Sequence, residues 1–194
     1  MTVPLSLDPS TTALIVIDLQ RGIVARPAAP HLAADVVSRC ARLAKAFREA
    51  GALVVLVYVG FADDDGDRLK PEADAAPPAM SRPADWSELV PELDRQPSDI
   101  VIMKRQWGAF YGTALDLQLR RRGIKTLVYG GIATNFGVES TARDAYERGF
   151  EQLFVEDAMS GLTEGAHSFA ITTIFPRMGR IRSTEEVLAA IRVR

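Results

Sequence analysis

Three short stretches end apolar runs with residues able to do chemistry. "ALIVID" closes on Asp18, "DIVIM" runs into Lys104, and "TLVYG" opens into "GIATNFGVES". A carboxylate and an ammonium at one sheet edge stabilise each other's charge and form a workable catalytic pair. Each also has a plain structural reading. An acid after a strand commonly caps the next helix, and a lysine there can simply face solvent. The third stretch is built like a strand-to-helix turn, where open α/β sheets place their chemistry. It offers no nucleophile beyond Ser140 and Thr141. These fall one turn into the expected helix, a place that suits packing or capping better than attack.

The elements that must position these residues follow from hydrophobic pattern. Continuous Val, Ile and Leu runs read as strands buried on both faces, at Ala13–Asp18, Ala52–Val59, Asp99–Met103, Thr126–Gly130 and Leu153–Glu156, with a short sixth near Arg180–Arg182. Amphipathic helices are expected at about Ala33–Ala50, Thr113–Arg122, Val138–Arg148, Ala166–Phe175 and Thr184–Ile191. Gly51, Gly123 and Gly149 each follow a helical pattern, as C-terminal glycines should. The alternation predicts an α/β three-layer sandwich: a mostly parallel six-stranded sheet with helices on both faces, in one domain over residues 1–194. Residues 60–98 break the rhythm with acidic residues and six prolines. A loop this long is functional or disordered in most domains. Its apolar members Phe61, Met80, Trp86 and Leu89 favour a cover over the site, the other reading being a surface excursion.

Composition sets outer limits. The 194 residues are 47% hydrophobic and 25% charged, which is ordinary for a globular chain with a full core. A net charge of −2 gives no electrostatic case for nucleic acid or an anionic membrane. Arg120, Arg121 and Arg122 sit together at an expected helix end and read as a solvated terminus. No signal-peptide pattern and no membrane-spanning run is present, and the lone Cys40 fits a reducing compartment, so a cytoplasmic location is expected. Cys40 falls in line with Val36, Leu43 and Phe47 at helical spacing and reads as core.

Taken together, "VIDLQ", "KRQWGAFYGT" and "GGIATNFGVESTARDAYERGF" resemble the isochorismatase-like hydrolases, also called the cysteine hydrolase superfamily, over about Thr12 to Arg182. The resemblance implies a parallel six-stranded sheet, and a triad in which Asp18 is the base, Lys104 the positive partner and a cysteine the nucleophile. That cysteine belongs at the end of "GxxTxxC", where this chain has Gly137. The resemblance also implies a cis peptide at Ile132–Ala133. The backbone N–H groups of Ala133 and Gly137 can then still act as a donor pair. Glycine cannot form the thioester an amidase needs.

Isochorismatases themselves are similar at this place, with glycine for cysteine beside the retained Asp and Lys. The resemblance therefore implies vinyl ether hydrolysis, with Asp18 as general acid. Lys104 alone is expected to depress the Asp18 pKa, and a substrate carboxylate paired with Lys104 to raise it again. The surrounding sequence looks more like a bacterial subgroup of cysteine-less members with no established substrate. Trp107, Phe110 and Tyr111 are candidates for an apolar wall, and Ile132 and Ala133 for substrate contacts.

Metal-binding relatives use an Asp-x-His motif after the second strand, and "VYVGFADDD" has no histidine. His31 and His167 lie in expected helix-start regions without ligand spacing, and "DDDGD" lacks the later glutamate of a calcium loop. No metal or other cofactor is expected. The small-molecule reading comes with a homodimer or larger assembly. The competing reading is a non-catalytic family member that binds a metabolite or protein partner in the same pocket.

Overall fold

The computed structural model describes residues 5–75 and 82–191, so Met80 lies outside the described residues. β1 (Thr12–Ile17), β2 (Leu53–Val59), β3 (Ile100–Lys104), β4 (Thr126–Ile132), β5 (Glu151–Ser160) and β6 (Arg180–Arg182) form one sheet in the order β3-β2-β1-β4-β5-β6. Every pairing is parallel. The helices are α1 (Arg21–Val24), α2 (Ala33–Glu49), α3 (Leu115–Arg121), α4 (Glu139–Glu147), α5 (Glu164–Phe169) and α6 (Thr184–Ala190).

Side chains on a strand alternate between faces, and here both faces are apolar. Leu14, Val16, Val54, Leu56, Val128 and Leu153 pack with Val36, Cys40, Leu43 and Phe47 of α2 and Val187 of α6. Ala13, Ile15, Ile17, Val55, Val57 and Tyr129 pack on the other side with Leu115 and Leu119 of α3 and Ala142 and Ala145 of α4. This double burial explains why all of β1 is buried and reads as an unbroken apolar run. The six-stranded three-layer architecture expected from the pattern is the one found.

Strand order reverses between β1 and β4, the chain building outward to β3 on one side and to β6 on the other, and at such a switch point the loops diverge and leave a crevice. Asp18 leaves β1 and the "GIATNFG" turn leaves β4 on its two sides. Gly131 permits this closeness: a Cβ there would lie 2.1 Å from the carbonyl oxygen of Ile17. β3 is tied at its start by Arg48 of α2, which donates to Asp99 from Nε (3.0 Å) and Nη2 (2.8 Å) and to the Leu93 carbonyl (3.0 Å). That forked pairing fixes the strand carrying Lys104.

Three elements depart most from the expected bounds. β5 continues to Ser160, and the helix after it is α5 followed by a π turn (Ala170–Ile174) and a 3-10 turn (Phe175–Arg177). The helix after β4 also starts early, as a π turn over Thr134–Val138 that runs into α4.

The described parts of 60–98 are docked. Residues 86–90 run antiparallel to the chain that follows Asp18: Val90 N–H donates to the Leu19 carbonyl (3.1 Å), Arg21 N–H to Glu88 (2.8 Å) and Gly22 N–H to Trp86 (2.9 Å). Trp86 is buried against Gly22 and stacks on Phe61 at 6.4 Å. Two acids of the run pair locally, Asp65 with Arg68 and Arg82 and Asp67 with Arg105. Among the described residues, no helix is long and apolar enough to cross a membrane.

Candidate active site

Ile100, Ile102 and Lys104 share one face of β3, so the row that packs inward ends in an ammonium. β2 lies between β3 and β1, a separation of two strand spacings or about 9.6 Å. A lysine stem spans most of that distance. Lys104 Nζ reaches Asp18 Oδ2 at 2.8 Å and donates also to the Gln106 carbonyl at 3.1 Å. Both side chains are nearly closed to solvent, 2% exposed for Lys104 and 8% for Asp18.

Asp18 occupies the left-handed region at φ 55, a conformation that costs a non-glycine residue about 1 kcal/mol or more and clusters at functional sites. Its N–H donates to the Val57 carbonyl at 2.9 Å, anchoring the turn to β2. Oδ1 is buried and finds no hydrogen-bond partner among the described residues. Burial pushes the Asp18 carboxyl up to about 6, against the charge and hydrogen bond of Lys104, which pull it down. The expectation that Lys104 sets a depressed pKa is thereby corrected: desolvation outweighs the ion pair.

Gly137 completes the geometry. A Cβ on it would lie 2.9 Å from Ile17 Cγ2, 3.0 Å from Asp18 Oδ2 and 3.6 Å from Lys104 Nζ. The Gly137 backbone thus sits close against both charged groups at once, and a side chain there would press on them. The turn is held by Ala133, whose carbonyl accepts from Phe136 (3.1 Å) and Val138 (3.3 Å), and the Ile132–Ala133 peptide is cis. Ile132 and Ala133 are both buried. Thr141 is occupied structurally, donating to the Gly137 carbonyl at 2.6 Å and accepting from Ala109 N–H at 3.1 Å. Ser140 packs beside Gly108.

The aromatic residues divide. Trp107 lies edge-on to Phe136 at 4.9 Å, next to Gly137, and is 63% exposed. Phe110 is in the core against Phe150 at 6.0 Å, and Tyr111 is 78% exposed. Cys40 is buried in α2, with its thiol donating to the Ala158 carbonyl at 3.3 Å and pushed by burial up to about 12.

Gln20, quoted in "VIDLQ" but given no role from sequence, is fully buried. Its amide donates to the carbonyls of Val59 (3.1 Å) and Trp86 (3.2 Å), and its oxygen accepts from Val59 N–H (2.8 Å). One side chain thus joins the ends of β1 and β2 to residues 86–90.

The histidines, which the sequence spacing leaves apart, are brought together with Glu156 by the fold. Glu156 Oε1 lies 2.9 Å from His31 Nε2 and 3.4 Å from His167 Nε2. His167 Nδ1 meets Thr134 Oγ1 at 2.8 Å. Burial lowers the His167 pKa, with Glu156 opposing it, so the ring is held neutral.

Comparison with known proteins shows the family. Residues 12–186 match the isochorismatase domain family. An uncharacterised isochorismatase family protein of Escherichia coli O157:H7 (YecD) is 51% identical over 96% of this chain and 100% of its own length. A ureidoacrylate amidohydrolase (RutB) of Methylorubrum extorquens is 34% identical over 96% of this chain and 86% of its own. The crystal structure of an isochorismatase family protein from Burkholderia thailandensis superposes with a TM-score of 0.93 at 45% identity, covering 98% of this chain and 100% of that one.

Proposed function

Because the chain belongs to the isochorismatase family of hydrolases, we propose that it is a cysteine-less member that hydrolyses a small anionic metabolite, best a vinyl ether, through Asp18 and Lys104. The observation that carries this reading is the buried Asp18–Lys104 pair, joined at 2.8 Å and set against a residue with no side chain, Gly137. A substrate that reaches this pair meets an acid and a cation with no thiol beside them.

The chemistry then needs no protein nucleophile. Protonated Asp18 gives its proton to the terminal methylene carbon of the vinyl ether, and the ether oxygen stabilises the oxocarbenium ion that forms. Water adds to the carbon that bears the ether oxygen, and the proton it releases returns to the Asp18 carboxylate. The hemiketal collapses, the C–O bond breaks, and an alcohol and a keto acid leave. A carboxyl raised to about 6 by burial supplies a useful protonated fraction near neutral pH. Lys104 binds the substrate carboxylate, and the N–H groups of Ala133 and Gly137 orient a substrate oxygen. Residues 86–90, locked by Gln20 and Trp86 onto the chain after Asp18, serve as part of a cover. Trp107, exposed beside the site, would suit an interface between two copies.

The amidase activity named for the ureidoacrylate relative is a poor fit here, because Gly137 offers no acyl-accepting atom. A screen of carboxylated enol ethers against amides and N-carbamoyl compounds tests the proposal. Turnover of enol ethers, with binding weakened in Lys104→Ala, supports it. Amide turnover alone contradicts it. Binding without any turnover would favour a non-catalytic metabolite-binding protein.

A further inference from the structure

We propose that His31, Glu156 and His167 form a binding site for one divalent transition-metal ion of the zinc type, separate from the Asp18–Lys104 pair. The two sites share no residue. Nothing in this inference depends on the hydrolytic reading.

The donor set is two imidazole nitrogens and one carboxylate oxygen, the combination that suits zinc and its first-row neighbours and leaves one position for water. All three ligand atoms lie within 4.8 Å of one another. A tetrahedral shell with metal–ligand bonds near 2.0–2.1 Å puts its ligand atoms about 3.4 Å apart. Glu156 Oε1 is already 3.4 Å from His167 Nε2 and 2.9 Å from His31 Nε2. The remaining adjustment is a contraction between the two rings, which meet edge to face with centroids 5.7 Å apart. His31 and Glu156 are partly exposed, so an ion can enter from solvent.

Backbone and side-chain contacts hold each ligand in place. The segment before His31 pairs with the end of β5 through two hydrogen bonds of 3.0 Å between Ala29 and Gly161, and Ser160 Oγ donates to the His31 carbonyl at 2.8 Å. Gly161 lets α5 approach, since a Cβ there would lie 3.3 Å from His167 Cβ. The α5 N-terminus is capped by Thr163, fixing the first turn that bears His167.

A neutral imidazole carries one proton, so ligation through Nε2 places that proton on Nδ1. In His167 that nitrogen faces Thr134 Oγ1 at 2.8 Å. A hydroxyl accepts there as readily as it donates, which is how outer-shell partners fix a metal-ligating tautomer. The ion would join three segments: the chain before α2, the strand β5 and the start of α5. A resting His–Glu–His hydrogen-bond network fits the same contacts, and only metal binding separates the two.

The test is calorimetric titration of the chelator-treated full-length protein with zinc chloride, with magnesium chloride as the hard-cation control. The expected result is saturable binding of one zinc per chain, no comparable magnesium binding, and loss of zinc binding in both His31→Ala and Glu156→Gln. Thr134→Val keeps the side-chain shape and is expected to weaken zinc about 10–100-fold. The cobalt(II) spectrum of the wild-type protein needs no variant: a four- or five-coordinate ion gives intense visible bands. Absence of saturable zinc binding overturns the proposal. So does binding undiminished in variants that keep their circular dichroism, or a weak octahedral cobalt spectrum.

Discussion

Gly137→Ala is the substitution whose consequences can be worked most fully from the structure. The added methyl arrives 2.9 Å from Ile17 Cγ2 and 3.0 Å from Asp18 Oδ2. Ile17 is fully buried in the core under α3 and α4 and cannot swing away. Overpacking of this kind costs about 1–3 kcal/mol. Replacing a helical glycine by alanine returns up to about 1 kcal/mol through backbone entropy. The net expectation is a loss of about 1–2 kcal/mol, which for a chain of this size lowers Tm by about 2–8 °C. The methyl also presses on Asp18 Oδ2, the proposed acid, so activity should fall further than stability does. Urea denaturation and steady-state turnover of the same preparation read the two effects separately. A variant as stable and as active as wild type would show that Gly137 is neither tightly walled nor set against a working Asp18. Gly137→Cys meets the same wall, and its thiol should be reactive beside Lys104 where Cys40 is not.

The raised Asp18 pKa has a stability consequence with a definite sign. Its folded-state value of about 6 exceeds the ordinary 3.8, so this group's contribution is complete below pH 4 and is lost as pH rises through 6. The size is on the order of 3 kcal/mol. Urea titrations of wild type from pH 4 to 7 should show that fall, and Asp18→Asn should lack it; parallel curves would refute the assignment. Gly22→Ala would drive a Cβ to 1.9 Å from Trp86 Cδ1, so Trp86 must leave its seat. Red-shifted tryptophan emission and faster proteolysis near residues 82–90 are expected, and unchanged emission would contradict the docked arrangement. Thiol reagents should leave activity intact, because the single cysteine is buried and its thiol is pushed up to about 12; rapid inactivation would contradict this.

Legibility from sequence followed the range of the interactions. The apolar run of β1 announced a strand because both its faces are buried, and glycines with φ near 65–75 close α2, α3 and α4 where the helical patterns stop. Asp18 and Lys104 were legible because each ends such a run, so the sheet itself delivers them to one edge. Their pKa balance was not, since it depends on burial that only the packed structure sets. β5 runs past the expected end because Glu156 and Asp157 are half-buried polar residues that break the apolar signal without breaking the ladder. The His31–Glu156–His167 cluster was invisible because its members stand 125 and 11 residues apart in the chain. Gln20 was hidden differently: its three bonds run to backbone groups, which leave no mark on residue type.

The central claim is that Asp18, protonated, is the general acid of a cysteine-free hydrolysis. The pH–rate profile of wild type and Asp18→Asn on an active enol ether tests it most directly. The account predicts that wild-type activity falls as pH rises through the Asp18 pKa in the complex. It predicts a loss of about 10²–10⁴-fold in Asp18→Asn with the fold retained. Full activity in Asp18→Asn, or a wild-type rate that climbs through that pH range, would contradict it.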